Sequence, residues 1–195
     1  MVFSALRVYL GSVNSPSRHF VVDSFPVKSY EAHKSFRARI FQDKIYHGYS
    51  ASKKAYFFGI KVHMIVDENG VPFEFCFTPG STSDIEGLKL LPCELPMGAI
   101  LLGDKAYTNY GLEDDLMEML GITLLPKRRV NLKRQNTGCQ NFILQQKRNR
   151  IETVFSEIVS RMPRSIKART ELSFYLKITL FIVAHVISKT LPITN

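Results

Sequence analysis

Cysteine is scarce in this sequence, and the few cysteines form no recognisable pattern. Cys76, Cys93 and Cys139 are widely spaced and odd in number, and no two of them form a Cys-x-x-Cys pair. This spacing indicates neither a disulfide framework nor a zinc site, and it fits a reducing compartment. The sequence also has no internal repeat and no low-complexity segment.

Two further absences concern secretion and membranes. The N-terminus has no charged region followed by an apolar core, so the sequence predicts no signal peptide. The longest apolar stretch, residues 172–187, is interrupted by Lys177 and His185 and diluted by serine, tyrosine and threonine. This interruption predicts a buried core helix rather than a membrane span.

The composition is that of a globular, basic protein. A chain of 195 residues with 45% hydrophobic residues suits one domain with a substantial core. The formal net charge of +9 favours a polyanionic partner such as nucleic acid. A solvated basic surface would give the same charge, so composition alone leaves both interpretations open.

Two aspartates directly follow short apolar segments. Residues 99–102 run without a polar break into Gly103 and Asp104, and residues 19–22 lead into Asp23. Short apolar runs of this kind are typical of strands buried on both faces. We therefore expect both aspartates at strand ends, at one edge of one sheet, where a pair of carboxylates is well placed to hold a metal ion.

The other patterns predict an α/β fold in which helices flank a mixed sheet. Alternating apolar residues on both sides of Asn69-Gly70 predict a β-hairpin, and Ser83 is a helix N-cap. We expect hairpin strands over 56–66 and 71–78, another strand over 122–125, and helices over 83–91, 109–120, 141–162 and 170–189. We expect residues 1–17 to be a poorly defined lead-in and residues 18–195 to be one domain.

The long helix offers a third carboxylate. Its apolar residues follow i, i+3, i+4, i+7 spacing, and Glu152 lies at the edge of that apolar face. The same arithmetic directs Glu157 towards solvent. Glu152 is thus able to reach the sheet, although an i, i+4 ion pair with Arg148 would also explain its position. With the two aspartates it would suit two divalent cations, which assist in-line phosphoryl transfer.

Five stretches, in this order, resemble the catalytic domain of the DDE transposases of bacterial insertion sequences. They are HFVVDSFP at 19–26, GIKVH at 59–63, TPGSTSD at 78–84, LGDKAY at 102–107 and RIETVF at 150–155. The resemblance covers about residues 18–190 and implies a ribonuclease H-like fold. It also implies that Asp23, Asp104 and Glu152 form the catalytic, metal-binding triad.

The resemblance further implies an activity and its partners. Mg²⁺ is the implied cofactor, with Mn²⁺ as a substitute. The implied reaction is cleavage of DNA at the ends of the element by activated water, followed by attack of the freed 3′-hydroxyl on target DNA. The implied partner is DNA, on which the chain is expected to assemble as a homo-oligomer. A location in the bacterial cytoplasm at the nucleoid, with no membrane partner, is expected.

The sequence departs from this family in two respects. Some members carry a Tyr-x2-Arg-x3-Glu-x6-Lys motif around the glutamate; here Arg148 fits, but Gln145 replaces the tyrosine and Val159 the lysine. Family members also usually have a helical DNA-binding module before the first aspartate, and only 22 positions precede Asp23. We therefore expect a truncated or remnant copy whose specific recognition of element ends is weakened or lost.

Basic residues near the predicted site are candidates for contacts with the DNA backbone. The candidates are Lys53, Lys54, Lys105, Lys127, Arg128, Arg129, Lys147, Arg148 and Arg150. Residues 24–55 also mix basic and aromatic side chains, a combination that suits phosphate contacts and base stacking, or equally a solvated loop with packing aromatics.

Three other residues and two other functions remain open. Asp84 is either a rival metal ligand or a helix-start residue, His63 faces the site or is a satisfied sheet histidine, and Tyr107 is expected to pack. One alternative function is a ribonuclease H-like nuclease of another purpose. The other is an inactive DNA-binding remnant.

Overall fold

A computed structural model describes residues 17–30, 40–50, 54–163 and 166–191 of the chain. Within these ranges the backbone forms strands and helices that we number in chain order. The strands are β1 (His19–Tyr30), β2 (His47–Ser50), β3 (Ala55–Asp67), β4 (Pro72–Pro79), β5 (Ile100–Gly103) and β6 (Thr123–Pro126). The helices are α1 (Asp84–Lys89), α2 (Tyr110–Leu120), α3 (Gly138–Arg161) and α4 (Glu171–Thr190).

The strands form one mixed sheet in the order β2-β3-β1-β5-β6. β1, β5 and β6 are parallel, whereas β3 runs antiparallel to β1. The other edge of β3 pairs first with β2, over residues 55–58, and then with β4, over residues 60–66. This arrangement confirms the predicted mixed sheet of a ribonuclease H-like α/β fold.

The two faces of the sheet carry separate apolar cores, because successive side chains of a strand point to opposite faces. In β1, Val21 and Phe25 belong to the larger core, which includes buried side chains of α3 and α4. Phe20 and Val22 belong to the second core, which includes Leu116 of α2 and the segment just after α1. Helices therefore cover the sheet on both faces, and α3 lies against the face to which Val21 points.

β1 is longer than the sequence pattern suggests. The apolar run ends at Val22, which predicted a strand end at Asp23, yet the strand continues to Tyr30. The cause is β3, whose length provides antiparallel partners for β1 well beyond the last residue that pairs with β5. Asp23 therefore lies inside β1, and only Asp104 follows the end of its strand.

The predicted helix boundaries agree closely with the structure because the capping residues are used as expected. The hydroxyl of Ser83 accepts the amide of Glu86 at the start of α1. Asn109 caps α2, and Gly121 ends it with φ of 65°, a conformation that glycine adopts without strain. Thr137 and Gln140 form a capping box that starts α3 three residues before the predicted boundary.

α4 is the one helix among the described residues with the length and composition needed to cross a membrane. One stripe of α4 packs into the core: Phe174, Ile178 and Ile182 are fully buried, each four residues from the next, and His185 is buried as well. Leu172, Leu176 and Leu180 on the rest of the helix are more than half exposed, so the prediction of a core helix holds for this stripe and not for the whole helix. The predicted lead-in lies outside the described residues except for Ser17.

Candidate functional site

Asp23 lies inside β1, and Asp104 directly follows β5, the parallel neighbour of β1. The last registered pair of these strands is Val21 with Leu102, and each aspartate lies two residues further along its chain. Adjacent strands are about 4.8 Å apart. Asp23 also follows the alternation of Val21, whose side chain belongs to the core formed with α3. The charges of the two aspartates interact, and their role as a metal-binding pair stays a prediction.

The surroundings of Asp23 disfavour its charged form. The pKa of Asp23 is raised to about 7, mainly by burial, and the negative charges of Asp104 and Asp84 act in the same direction. The amide of Ser24, which donates to Asp23 Oδ1 at 2.8 Å, and the positive charge of Arg148 act in the opposite direction. Three carboxylates are thus close enough to repel one another, and a cation between them would favour the ionised state.

A single turn of 3₁₀ helix, Lys105–Tyr107, fixes Asp104. Its Oδ1 accepts the amide of Ala106 at 2.5 Å. Tyr107, at the end of this turn, is fully buried, and its hydroxyl has no hydrogen-bond partner among the described residues. Burial and the nearby Asp23, Asp84 and Asp104 raise its pKa well above the usual range. Tyr107 therefore packs, as expected, but its hydroxyl lies near the acidic cluster.

Asp84 connects α1 to the sheet. It occupies the first position of α1, and its Oδ1 accepts the Ser24 hydroxyl at 2.7 Å. The Lys61 ammonium lies 3.3 Å from the same oxygen. The helix-start interpretation of Asp84 is correct, and the contacts with β1 and β3 add a function that the sequence did not predict: they attach α1 beside Asp23.

His63 is a buried sheet histidine with one of its two ring nitrogens paired, since Nδ1 has no hydrogen-bond partner among the described residues. It is fully buried, and its Nε2 lies 2.8 Å from the hydroxyl of Thr78. Its ring fills the space beside Gly87, where an added Cβ would lie 2.1 Å from the imidazole. Burial lowers the pKa of His63 to about 4, so the ring is neutral at physiological pH.

Glu152 projects from α3 and is not part of the aspartate cluster. Its side chain is 58% exposed, and its Oε1 lies 3.4 Å from Nη2 of Arg148, the alternative partner suggested by the sequence. Among the described residues, no group of three or more His, Cys, Asp or Glu side chains is arranged to hold a metal ion. The assignment of Glu152 to a triad with Asp23 and Asp104 stays a prediction.

The expectation for Glu157 was wrong. Its carboxylate faces α4 rather than open solvent, with Oε2 2.9 Å from Lys189 Nζ and 3.7 Å from His185 Nδ1. The Lys189 hydrogen bond lowers the pKa of Glu157. A helical wheel of α3 alone does not predict this contact, because it depends on where α4 packs.

The candidate DNA contacts differ in availability. Lys54, Lys105, Lys127, Arg129 and Arg150 are exposed, whereas Lys53 lies outside the described residues. Lys147 forms an ion pair with Glu68 at 3.1 Å.

The prediction that Arg128 contacts the DNA backbone requires a correction. Its side chain is only 7% exposed, and its guanidinium donates to both carboxylate oxygens of Glu113, at 2.8 and 2.5 Å. This buried pair leaves the Arg128 guanidinium unsuited to a phosphate contact.

The same ion pair anchors the basic segment that follows β6. Arg134 donates to Asp114 at 2.7 and 2.9 Å. The guanidinium groups of Arg128 and Arg134 both lie over the ring of Tyr110, at 5.4 and 4.8 Å from its centre. These contacts fix the basic segment at the end of the sheet where β5 and β6 terminate, which is also the end that carries Asp104.

Comparison with known proteins agrees with the resemblance seen in the sequence. A family model described as a transposase DDE domain matches residues 15–165, which include β1, β5 and all of α3. Asp23, Asp104 and Glu152 all lie inside the matched range. A search of curated proteins finds no match to the chain.

Proposed function

Because this chain belongs to the family of transposase DDE domains, we propose that it cleaves DNA at the ends of an insertion sequence and transfers the freed 3′-hydroxyl into target DNA. The observation that supports this proposal is the proximity of Asp23 and Asp104, which lie two residues beyond the last registered pair of β1 and β5 and whose charges interact. α3, which bears Glu152, lies across the same face of the sheet. Three carboxylates from β1, β5 and α3 are the groups that such a reaction requires.

The donor set fits a hard divalent cation. Carboxylate oxygens are the preferred ligands of Mg²⁺. The pKa of Asp23 is raised mainly by burial and also by the charges of Asp104 and Asp84, and a bound cation would counter both effects. Asp23, Asp104 and Glu152 would hold Mg²⁺, or Mn²⁺ in its place. When bound, such ions stabilise the charge on the attacking and leaving oxygens of a phosphoryl displacement.

Glu152 must change partners to complete this set. In the structure it is paired with Arg148, whose positive charge also acts on Asp23. An exposed i, i+4 ion pair contributes only about 0.3–0.5 kcal/mol, so it is easily broken. We propose that DNA binding draws the Arg148 guanidinium onto a phosphate and that Glu152 then turns towards the two aspartates.

Exposed basic residues around the acidic site would position the DNA backbone. Lys105 follows Asp104, and Lys127 and Arg129 lie just after the end of β6. Lys147 and Arg150 lie on α3, close in sequence to Glu152. Phosphate contacts of this kind fix the position of a duplex but carry no sequence information. We propose that this surface holds both element ends and target DNA, with the chain assembled as a homo-oligomer on the DNA.

The test is nicking of supercoiled plasmid DNA by the purified chain in Mg²⁺ or Mn²⁺. Asp23→Asn, Asp104→Asn and Glu152→Gln should each reduce nicking by about 1000-fold, because each removes part of a metal site that contributes several kcal/mol. Asp115→Asn, on the exposed side of α2, is the matched control and should nick normally. Binding to duplex DNA should remain within about threefold of the wild type, since the phosphate contacts are unchanged.

Two alternative functions would each give a different result in the cleavage assay. A ribonuclease H-like nuclease of another purpose predicts that an RNA–DNA hybrid is cleaved faster than duplex DNA. An inactive DNA-binding remnant predicts that the wild type binds DNA but does not cleave it in either metal. The pairing of Glu152 with Arg148 is the observation that favours the inactive remnant as second candidate.

A further inference from the structure

A contiguous group of four rings lies on one face of β2 and β3. The imidazole of His47 stacks on Phe58, with ring centres 4.7 Å apart and planes at 20°, and on Tyr56, at 5.1 Å and 29°. The ring of Tyr49 contacts that of Tyr56 at 5.0 Å but is tilted from it by 57°. His47 with Phe58 and Tyr49 with Tyr56 are directly opposed residues of the antiparallel pair, which is why their rings share a face. We call these four residues the ring stack.

The core does not account for the ring stack. The side chains of Tyr56 and Tyr49 are 67% and 50% exposed, whereas Phe57, between Tyr56 and Phe58 in the chain, is buried on the opposite face. Burial against the core therefore explains one face of this part of the sheet but not the other. Large rings that remain exposed in a contiguous patch mark a binding surface.

The surroundings of the ring stack favour an anionic ligand. Lys44, which begins the 3₁₀ turn that leads into β2, and Lys54, directly before β3, are both exposed. Within residues 40–50 and 54–58 there is one acidic residue, Asp43, and its carboxylate accepts the amide of Lys44. Stacked rings beside ammonium groups are the combination that binds single-stranded nucleic acid, since bases stack on the rings and phosphates meet the cations.

The rings lie on the face of the sheet opposite to the one that α3 covers, so a DNA strand would reach them from the acidic site by passing the end of the sheet. β1 and β3 continue beyond the last residues that pair with β5, so this part of the sheet extends past the edge where Asp104 lies. Phe58 pairs with Tyr30, and Tyr30 lies about 23 Å along β1 from Asp23 at roughly 3.3 Å per residue. About seven stacked nucleotides, at 3.4 Å each, span that distance.

We propose that the ring stack binds unpaired bases of a DNA strand that extends from the acidic site, with Lys44 and Lys54 contacting its phosphates. The assignment rests on the proposed function, because it takes DNA as the substrate. It adds a site for single-stranded DNA that is separate from the carboxylates and from the basic segment after β6.

Fluorescence anisotropy with a labelled single-stranded oligonucleotide of 12 thymidines, and with a 12-base-pair duplex, tests the proposal at a fixed 100 mM NaCl. Tyr56→Val and Tyr49→Val remove a ring but keep a residue that favours strands. Each should weaken single-strand binding about tenfold, because stacking contributes about 1–3 kcal/mol per base. Duplex binding should change by less than about twofold. Tyr56→Phe keeps the ring and should bind like the wild type.

A second readout uses the chain's own fluorescence. The chain has no tryptophan, so its ultraviolet emission comes from tyrosine. Single-stranded DNA should quench part of this emission in the wild type and in Tyr56→Phe, and less of it in the double variant Tyr49→Val/Tyr56→Val. Thermal unfolding confirms that each variant is folded before its binding is compared.

Three results would overturn the proposal. The first is an equal loss of single-strand and duplex binding in the valine variants. The second is unchanged single-strand binding in the folded double variant. The third is a change in oligomeric state without a change in DNA binding, which would make the rings a contact between copies of the chain. None of these measurements depends on DNA cleavage, so a failure of the proposed catalytic function would be recognised separately by the carboxylate variants.

Discussion

Glu113 and Asp23 are both carboxylates largely removed from water, and the protein neutralises only one of them. Glu113 has both oxygens bound by the guanidinium of Arg128. Asp23 accepts a hydrogen bond from one backbone amide, that of Ser24, and stands near two further carboxylates. A buried charge is costly unless it is paired. The pairing of Glu113 stabilises the fold, whereas Asp23 is only partly neutralised, as the proposed binding of a cation requires.

The comparison predicts the largest loss of stability at the paired carboxylate. Glu113→Gln leaves the Arg128 guanidinium buried without a counter-charge and should lower the free energy of unfolding by about 3–5 kcal/mol. Urea unfolding at pH 7 measures the change. Asp114→Asn is the matched control, because its partner Arg134 is 49% exposed, and it should lower stability far less than Glu113→Gln. Equal effects of the two substitutions would show that burial does not distinguish these ion pairs.

Substitution of Asp23 is expected to increase the free energy of unfolding rather than lower it, and the size of the increase depends on pH. A carboxyl whose pKa rises from 3.8 to about 7 on folding binds more protons in the native state, so its contribution to stability declines between pH 4 and pH 7. Asn lacks this penalty. Asp23→Asn should therefore leave stability unchanged near pH 4 and increase it by about 2–4 kcal/mol at pH 8.

Thermal unfolding of both proteins over this pH range tests the prediction. The groups that face Asp23 are Asp104, Asp84 and Arg148, so Asp115→Asn, away from all three, serves as the control. Mg²⁺ at millimolar concentration should reduce the advantage of Asp23→Asn at pH 8, since it stabilises the wild type only. A variant that is less stable than the wild type at pH 8 without metal would contradict the prediction.

The smallest change in stability is expected on substitution of Arg148, whose positive charge acts on Asp23. Arg148→Gln removes the exposed pair with Glu152 and should change stability by less than about 1 kcal/mol. It also removes a positive charge that lowers the pKa of Asp23, so that pKa should rise further above 7. A carboxyl ¹³C NMR titration measures the shift, and Arg150→Gln is the control. An unchanged or lower pKa would mean that Arg148 does not act on the acidic site.

Local sequence signals predicted most of the fold. Asn69-Gly70, Ser83 and Gly121 each specify a turn or a cap by their own chemistry, and the corresponding elements form where expected. The extension of β1 was missed because Ser24, Pro26 and Lys28 interrupt its apolar pattern, and the pairing with β3 that sustains it is non-local. β2 was missed for a similar reason, since its outward residues are exposed rings rather than a buried alternation.

The positions of the two aspartates were predictable from sequence, but the ion pairs around the site were not. The apolar runs before Asp23 and Asp104 identified two carboxylates that each lie two residues beyond the last registered pair of β1 and β5. The pairs Lys61–Asp84 and Arg128–Glu113 join residues far apart in the chain, and no spacing rule relates them. Glu157 was assigned to solvent because α3 was considered alone, without α4 against it.

Because of the 3₁₀ turn after β5, the two ends of the proposed site differ in when their carboxylates become oriented. Asp104 is held by the amide of Ala106 in its own turn, so the orientation of its carboxylate is set as soon as the chain folds. Its side-chain entropy is lost during folding, so ligand binding does not require a further loss of entropy at this side chain. Glu152 is held instead by the guanidinium of Arg148. In the function proposed above, the carboxylate of Asp104 is therefore oriented before DNA binds, whereas that of Glu152 is oriented only after Arg148 releases it.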